Sequence, residues 1–268
     1  MDKGVKKMSD EKKRKTGTRE WAEHNRNIQA GCENDCRYCY ARNMAERFKR
    51  CTRDTWKDPV LNQKNINEKP RLLSGRIMFP TTHDITNGNI AIVVKYLKGW
   101  LQAGNEILIV SKPDPDCIAT LCQELAPWKD QITFRFTIGS RINEVLKFWE
   151  PNAPTYEQRV QALEIAFLRD YMTSVSAEPY LDGHVVDLFH DLEPLVQDVI
   201  WIGKMNRINQ RVHPELFDEQ GQRVMKIVHD AQTDEAVWKI YNSLKDNSKV
   251  RWKDSIKQVI GLPEESIG

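Results

Sequence analysis

The sequence predicts an α/β fold of the barrel class, in which strands and helices alternate and a small C-terminal helical cap follows. Strand-type and helix-type runs alternate six times between residues 27 and 203. The chain has 268 residues, 40% of them hydrophobic, which is enough to bury one barrel core. Its last ~55 residues show helical stripes only.

Each element has its own signal. A short strand is expected at 27–30, leading straight into a cysteine-rich loop. Residues 40–48 then place Tyr40, Met44 and Phe48 on one helical face. Residues 51–74 are polar, contain Pro59 and Pro70, and read as a surface excursion. Ile77, Met78 and Phe79 form a buried-type strand, and residues 80–84 the loop at its carboxyl end. The helix at 89–103 carries Ile90, Val93, Val94, Leu97 and Leu101 on one side. A strand at 106–112, a helix at 115–125 and a strand at 132–138 follow. A helix at 156–169 starts after Pro154 and Thr155, and the series ends with strand 172–177, helix 182–195 and strand 199–203. Such repeats favour parallel strands joined by right-handed crossovers. In the cap, Val237, Ile240, Tyr241 and Leu244 make one stripe, and Trp252, Ile256, Val259 and Ile260 another. The expected organisation is a basic disordered tail at 1–18, a barrel at 19–215 and a helical extension at 216–268.

Net charge is +2 but uneven. The first 16 residues hold seven basic and three acidic side chains, a charge of +4 that leaves −2 for the rest. A tail of this kind is ordinarily solvated and disordered, and it can also attract nucleic acid by neutralising phosphates. The apolar runs are broken by charges and too short to span a bilayer. With six cysteines and no export signal, the expectation is a soluble cytoplasmic protein with no membrane partner.

The unusual stretch is Cys32, Cys36 and Cys39, three thiols in eight residues at spacing C-x3-C-x2-C. Thiolates this close repel each other unless a metal or cluster neutralises them. A zinc site wants a fourth ligand, and this is not a zinc-finger spacing. Cys51, Cys117 and Cys122 show no disulfide pattern. Three ligands would leave one iron of a four-iron cluster open.

With Tyr38 just before the third cysteine, Cys32, Cys36, Tyr38 and Cys39 match the signature of radical S-adenosylmethionine (SAM) enzymes, and the chain resembles that family. The resemblance implies an open (β/α)6 partial TIM-type barrel. It implies a [4Fe–4S] cluster on Cys32, Cys36 and Cys39, SAM on the fourth iron, and Tyr38 near the adenine. The activity implied is of lyase or oxidoreductase type: SAM is cleaved reductively to a 5′-deoxyadenosyl radical, which takes hydrogen from a substrate. A reduced donor such as flavodoxin or ferredoxin would supply the electron.

In β/α barrels, loops at the carboxyl ends of the strands build the active site. After the second strand, Thr81-Thr82-His83-Asp84 departs from the family's Gly-Gly-Glu-type segment, so Thr81 or backbone carbonyls would bind the SAM amino group. His83 is a catalytic candidate, and Asp84 equally reads as a helix cap. Lys112, after the third strand, suits the SAM carboxylate. Cys117 is a candidate hydrogen-atom donor, although Cys117 and Cys122 read more simply as small buried hydrophobes. Thr133, Arg135 and Thr137 share one face of the fourth strand, which is expected of an inner face lined for a polar ligand. Thr137, Ser140, the run Glu150-Pro151-Asn152-Ala153-Pro154 and Arg159 resemble the spore photoproduct lyase-like branch, and Ala177-Glu178-Pro179 resembles a segment of related phage radical-SAM-like proteins. This implies that Thr137 and Ser140 face SAM and that Glu150 pairs with Arg159. Glu178 puts a carboxylate at the mouth, suited to the SAM amine or ribose. The branch's hydrogen-returning cysteine near the end of the second strand is lacking, so nucleic acid, peptide and small molecule all stay open as substrates. The alternative is a non-enzymatic nucleic-acid-binding or redox module with a structural three-cysteine metal site.

Overall fold

The computed structural model describes residues 17–212 and 214–263. The chain enters through a 3-10 turn at Gly17–Glu20 and forms strand β1 (His24–Asn25). Strand β2 (Gln29–Ala30) pairs antiparallel with β3 (Val60–Leu61), and between them lie the cysteine loop and helix α1 (Tyr40–Arg47). A single turn, α2 (Gln63–Ile66), precedes the main alternation. That alternation runs β4 (Ile77–Phe79), α3 (Ile90–Gln102), β5 (Ile107–Ser111), α4 (Pro115–Glu124) and β6 (Ile132–Thr137). It continues through α5 (Asn143–Trp149), α6 (Tyr156–Leu168), β7 (Met172–Ala177), α7 (Val185–Leu192) and β8 (Ile200–Ile202). The chain ends with α8 (Ile208–Arg211), α9 (Glu219–Ala231), α10 (Asp234–Leu244), β9 (Val250–Trp252) and α11 (Asp254–Ile260).

Seven strands form one parallel sheet in the order β1-β4-β5-β6-β7-β8-β9. β1 and β9 are its edges, so the sheet is open, consistent with a partial TIM-type barrel. Period-two alternation divides its side chains between two faces. Ile77, Phe79, Ile109, Phe134, Phe136, Val175, Ile200 and Val250 share one core with α3, α4, α6, α7, α10 and α11. Met78, Leu108 and Val110 point the other way, against Trp21 and Ala22 of the incoming segment.

Local chemistry explains the helix starts. Thr155 and Gln158 form a reciprocal capping box ahead of α6. Asp114 accepts the backbone N–H groups of Asp116 and Cys117, with Pro115 at the first position of α4. Cys39 caps α1, its sulfur accepting from the Arg42 N–H at 3.4 Å.

The structure differs from the expected series at both ends. The first strand of the main sheet lies at 24–25 rather than 27–30, because the chain leaves the sheet at Asn27. The Asn27 amide oxygen accepts the N–H groups of Thr81 and Thr82, and Ile28 drops into the core. At the other end Trp252, expected on a helical stripe, belongs to a seventh strand. Val250 and Trp252 face the core with Arg251 between them, a period of two that suits the free edge of β8. Helix α5 falls outside the expected series, although Val145, Leu146 and Trp149 bury one helical face. The expected tail at 1–18 lies outside the described residues up to residue 16; Gly17 and Thr18 begin the 3-10 turn.

A chain ending at Asp246 would lose β9 and α11 and uncover the edge of β8 together with the apolar groups beneath. It is expected to aggregate rather than yield a smaller folded protein, measured as loss of the monomer peak in size-exclusion chromatography.

Candidate active site

The carboxyl ends of β4 and β5 meet the cysteine loop around one buried carboxylate. Asp84 Oδ1 accepts from the Lys112 backbone N–H at 2.8 Å and from Ser111 Oγ at 3.3 Å. Its Oδ2 accepts from Asn34 Nδ2 at 2.9 Å and faces Lys112 Nζ at 3.4 Å. The Asp84 N–H points at Cys32 Sγ at 3.4 Å. Burial alone would raise the Asp84 carboxyl, but the Lys112 ammonium and these hydrogen bonds outweigh it and hold it below its ordinary value. Asp84 is thus a hub rather than a helix cap; Asn89 stands at the start of α3 and bonds the Asp84 carbonyl.

A second buried chain of contacts runs from Tyr38. Its hydroxyl donates to Glu150 Oε1, and Glu150 Oε2 meets Arg159 Nη2 at 2.5 Å. Arg159 also donates to the carbonyls of Pro154 and Thr137. The expected Glu150–Arg159 pair is therefore present, and it is essentially without solvent contact. Lys112 Nζ lies 5.9 Å from the centroid of the Tyr38 ring, which links the two networks.

The three thiols are free of disulfides and sit in the same neighbourhood. Burial pushes all three up, while the Lys112 ammonium pulls each of them down. Among the described residues, no three His, Cys, Asp or Glu side chains are gathered in metal-binding geometry. The fit to a cluster is one of donor chemistry: three soft sulfurs from one loop, with a cation beside them.

The remaining candidates separate. Thr81 Oγ1 accepts from Asn27, and the Thr81 carbonyl accepts the Tyr40 hydroxyl. His83 is buried with both ring nitrogens on backbone: Nδ1 donates to the Asp84 carbonyl and Nε2 accepts from the Ile28 N–H. Burial lowers this imidazole to about 4. The Ser140 hydroxyl donates to Asp182 and accepts the Ile142 N–H, so it braces a loop. Cys117 is 1% exposed in the main core, its thiol 3.5 Å from Asn87 Oδ1. Of Thr137, the backbone carbonyl serves Arg159.

Glu178 directly follows β7, with Lys253 Nζ 3.4 Å from its carboxylate. Lys253 also meets Glu20 at 2.7 Å and lies over the Trp21 ring at 4.3 Å. Arg135 packs against Trp21 and Trp201 and pairs with Asp198 at 3.2 Å. The polar inner face read from β6 is therefore partly satisfied by the chain's own residues. Sequence reading missed Glu20, Trp21, Asn34 and Lys253. Only Asn34 carried a signal, by its place inside the cysteine loop. A cavity of about 350 Å³ opens at the amino-terminal ends of β5, β6 and β7, away from this site.

Compared with solved structures, the chain overlays spore photoproduct lyase across most of its length. The tyrosine-to-phenylalanine variant of that enzyme matches with a TM-score of 0.54 at 16% identity, covering 86% of this chain and 76% of that one. A cysteine-to-alanine variant with dinucleoside spore photoproduct matches at 0.52 and 17%, with the same coverage. The fold is that of spore photoproduct lyase. This bears out, at the level of the fold, the resemblance read from the cysteine loop and from Glu150 to Arg159. No family model and no curated protein matches the sequence. Among the described residues, no helix is long and apolar enough to cross a membrane.

The buried groups can be tested by stability. Glu150→Gln strands the Arg159 charge and should lower the unfolding free energy by about 3–5 kcal/mol in urea titrations. Exchanging both partners for Gln and Met should cost less than the sum of the single changes. For His83, the unfolded chain takes up a proton below about pH 6.5, the folded chain only below about 4. Between these values the unfolded state holds more protons, so stability falls as pH drops. About 2 kcal/mol should be lost between pH 7 and pH 5, and His83→Gln should flatten that part of the profile.

Proposed function

We propose that this protein is a radical SAM enzyme in which Cys32, Cys36 and Cys39 hold a [4Fe–4S] cluster. The observation that carries the reading is one loop presenting three unbridged thiols, Cys32 and Cys36 buried and Cys39 half-buried, on the fold of spore photoproduct lyase. With SAM bound, such a cluster supplies reductive cleavage to a 5′-deoxyadenosyl radical and hydrogen abstraction.

The chain's own residues position and shield. Asp84 ties the cysteine loop to the ends of β4 and β5, so the sulfurs keep their place relative to the sheet. Lys112 offsets negative charge on the sulfurs and is suited to the SAM carboxylate. Tyr38, fixed by Glu150 and Arg159, offers a ring to the adenine. Glu178 takes the amine or ribose hydroxyls of SAM. Thr137 lines the same side, while Thr81, Ser140 and His83 act by holding loops. Cys117, sealed in the core, is not the hydrogen donor.

The neighbour's dinucleoside ligand and the charge of Arg211, felt at Cys39, Tyr40 and Glu178, favour a nucleic acid as substrate. A soluble carrier such as flavodoxin or ferredoxin would deliver the electron. In the domain reading that goes with this function, 1–18 is a tail, 19–215 the SAM-binding barrel and 216–268 an extension.

Anaerobic reconstitution with iron and sulfide should give about four irons per chain. Reduction in the presence of SAM should then release 5′-deoxyadenosine. Cys32→Ala, Cys36→Ala and Cys39→Ala should each abolish that product, and Cys117→Ala should leave it unchanged. A protein that takes up zinc instead, and forms no deoxyadenosine, overturns the reading.

A further inference from the structure

Glu178 does not stand alone at the mouth. Ala177, Ile202 and Trp252 lie side by side on β7, β8 and β9, so the next residues on each strand, Glu178, Gly203 and Lys253, continue that row. The middle position has no side chain. A Cβ on Gly203 would lie 2.9 Å from both Lys253 Cβ and Cγ and 3.0 Å from Glu178 Cγ. Glycine there lets Lys253 reach across β8 to Glu178.

Lys253 is itself fixed. Its backbone N–H donates to the Ile202 carbonyl at 2.9 Å, which extends the ladder by one residue. Its side chain is 3% exposed and its ammonium lies over Trp21. The Glu20 carboxylate accepts from the ammonium at 2.7 Å, and the Gly17 carbonyl accepts at 3.3 Å. The cluster holds two carboxylates to one ammonium, with the Asp254 charge acting on both carboxylates. Its excess charge is negative, and the Glu178 charge reaches Tyr40 and Arg211.

We propose that Lys253 and Glu20 are positioning residues that hold the Glu178 carboxylate toward the mouth, oriented to accept hydrogen bonds from SAM. This rests on the reading of Glu178 as a SAM-binding residue. Lys253 fixes the direction of Glu178 and offsets the burial and the Glu20 charge that raise its carboxyl, while Glu20 keeps Lys253 from swinging fully onto Glu178 and neutralising it. Strand β9 and the entering segment at 17–21 thereby become parts of the SAM site, although neither carries a residue that touches SAM.

The test is SAM affinity of the anaerobically reconstituted holoprotein, measured by equilibrium dialysis with labelled SAM. Cluster absorbance and thermal midpoint are recorded for every variant. Lys253→Met should weaken SAM binding about tenfold or more with cluster absorbance retained, and Lys253→Arg should restore most of the affinity. Glu20→Gln should weaken binding in the parent protein but have no effect in Glu178→Gln, because a positioning residue acts through the group it positions. If Lys253→Met does not fold, that Glu20 and Glu178 cycle decides. Unchanged affinity in Lys253→Met, or equal effects of Glu20→Gln with and without Glu178, overturns the inference. Unchanged affinity in Glu178→Gln overturns instead the underlying reading of Glu178, a separate result.

Discussion

The buried carboxylate of Asp84 is the constraint on which the site depends. A charge removed from water must be paired and fully hydrogen-bonded, or it will not stay ionised. Asp84 meets that demand with donors from two segments: Asn34 in the cysteine loop, and Ser111 and Lys112 at the end of β5. Satisfying one carboxylate therefore fixes the cysteine loop against the sheet. Lys112 completes the arrangement, because Asp84 keeps its ammonium charged in spite of burial, beside sulfurs and the Tyr38 ring.

The inner face of the sheet shows the same logic over a wider area. A sheet with helices along one side leaves the other to be filled, and here polar strand residues are matched by cations and indoles from distant parts of the chain. Arg135 and Lys253 both lie over Trp21 and Trp201, and each has a carboxylate partner. Trp21 directly follows the first described turn, and Lys253 lies just beyond the last strand. The two ends of the described chain thus meet inside the fold, on the side of the mouth facing Glu178.

The likeness to spore photoproduct lyase concerns architecture, and the departures concern chemistry. At the end of β4 this chain has Thr81 to Asp84, in which Asp84 is the hub and His83 is committed to backbone through both nitrogens. That segment contains no cysteine of its own, and Cys117 is packed into the outer core. The buried polar groups beside the cysteine loop are Asp84, Lys112 and Tyr38.

Features that depend on spacing and period were legible in the chain itself. The triplet Cys32, Cys36 and Cys39, the alternating strands and helices, the start of α6 at Thr155 and the pairing of Glu150 with Arg159 all lie in neighbouring residues or in a short motif. Partners brought from afar became visible only in three dimensions: Asp84 with Lys112 and Asn34, Lys253 with Glu20 and Glu178, and His83 with Ile28. The same holds for Trp252 on its strand, since three residues of either period look alike until a free sheet edge accepts them. A buried charge advertises nothing in sequence about which remote group will neutralise it. Glu178 could be read as a carboxylate at a strand end, but its direction depends on a lysine 75 positions away reaching over Gly203, which no local pattern encodes.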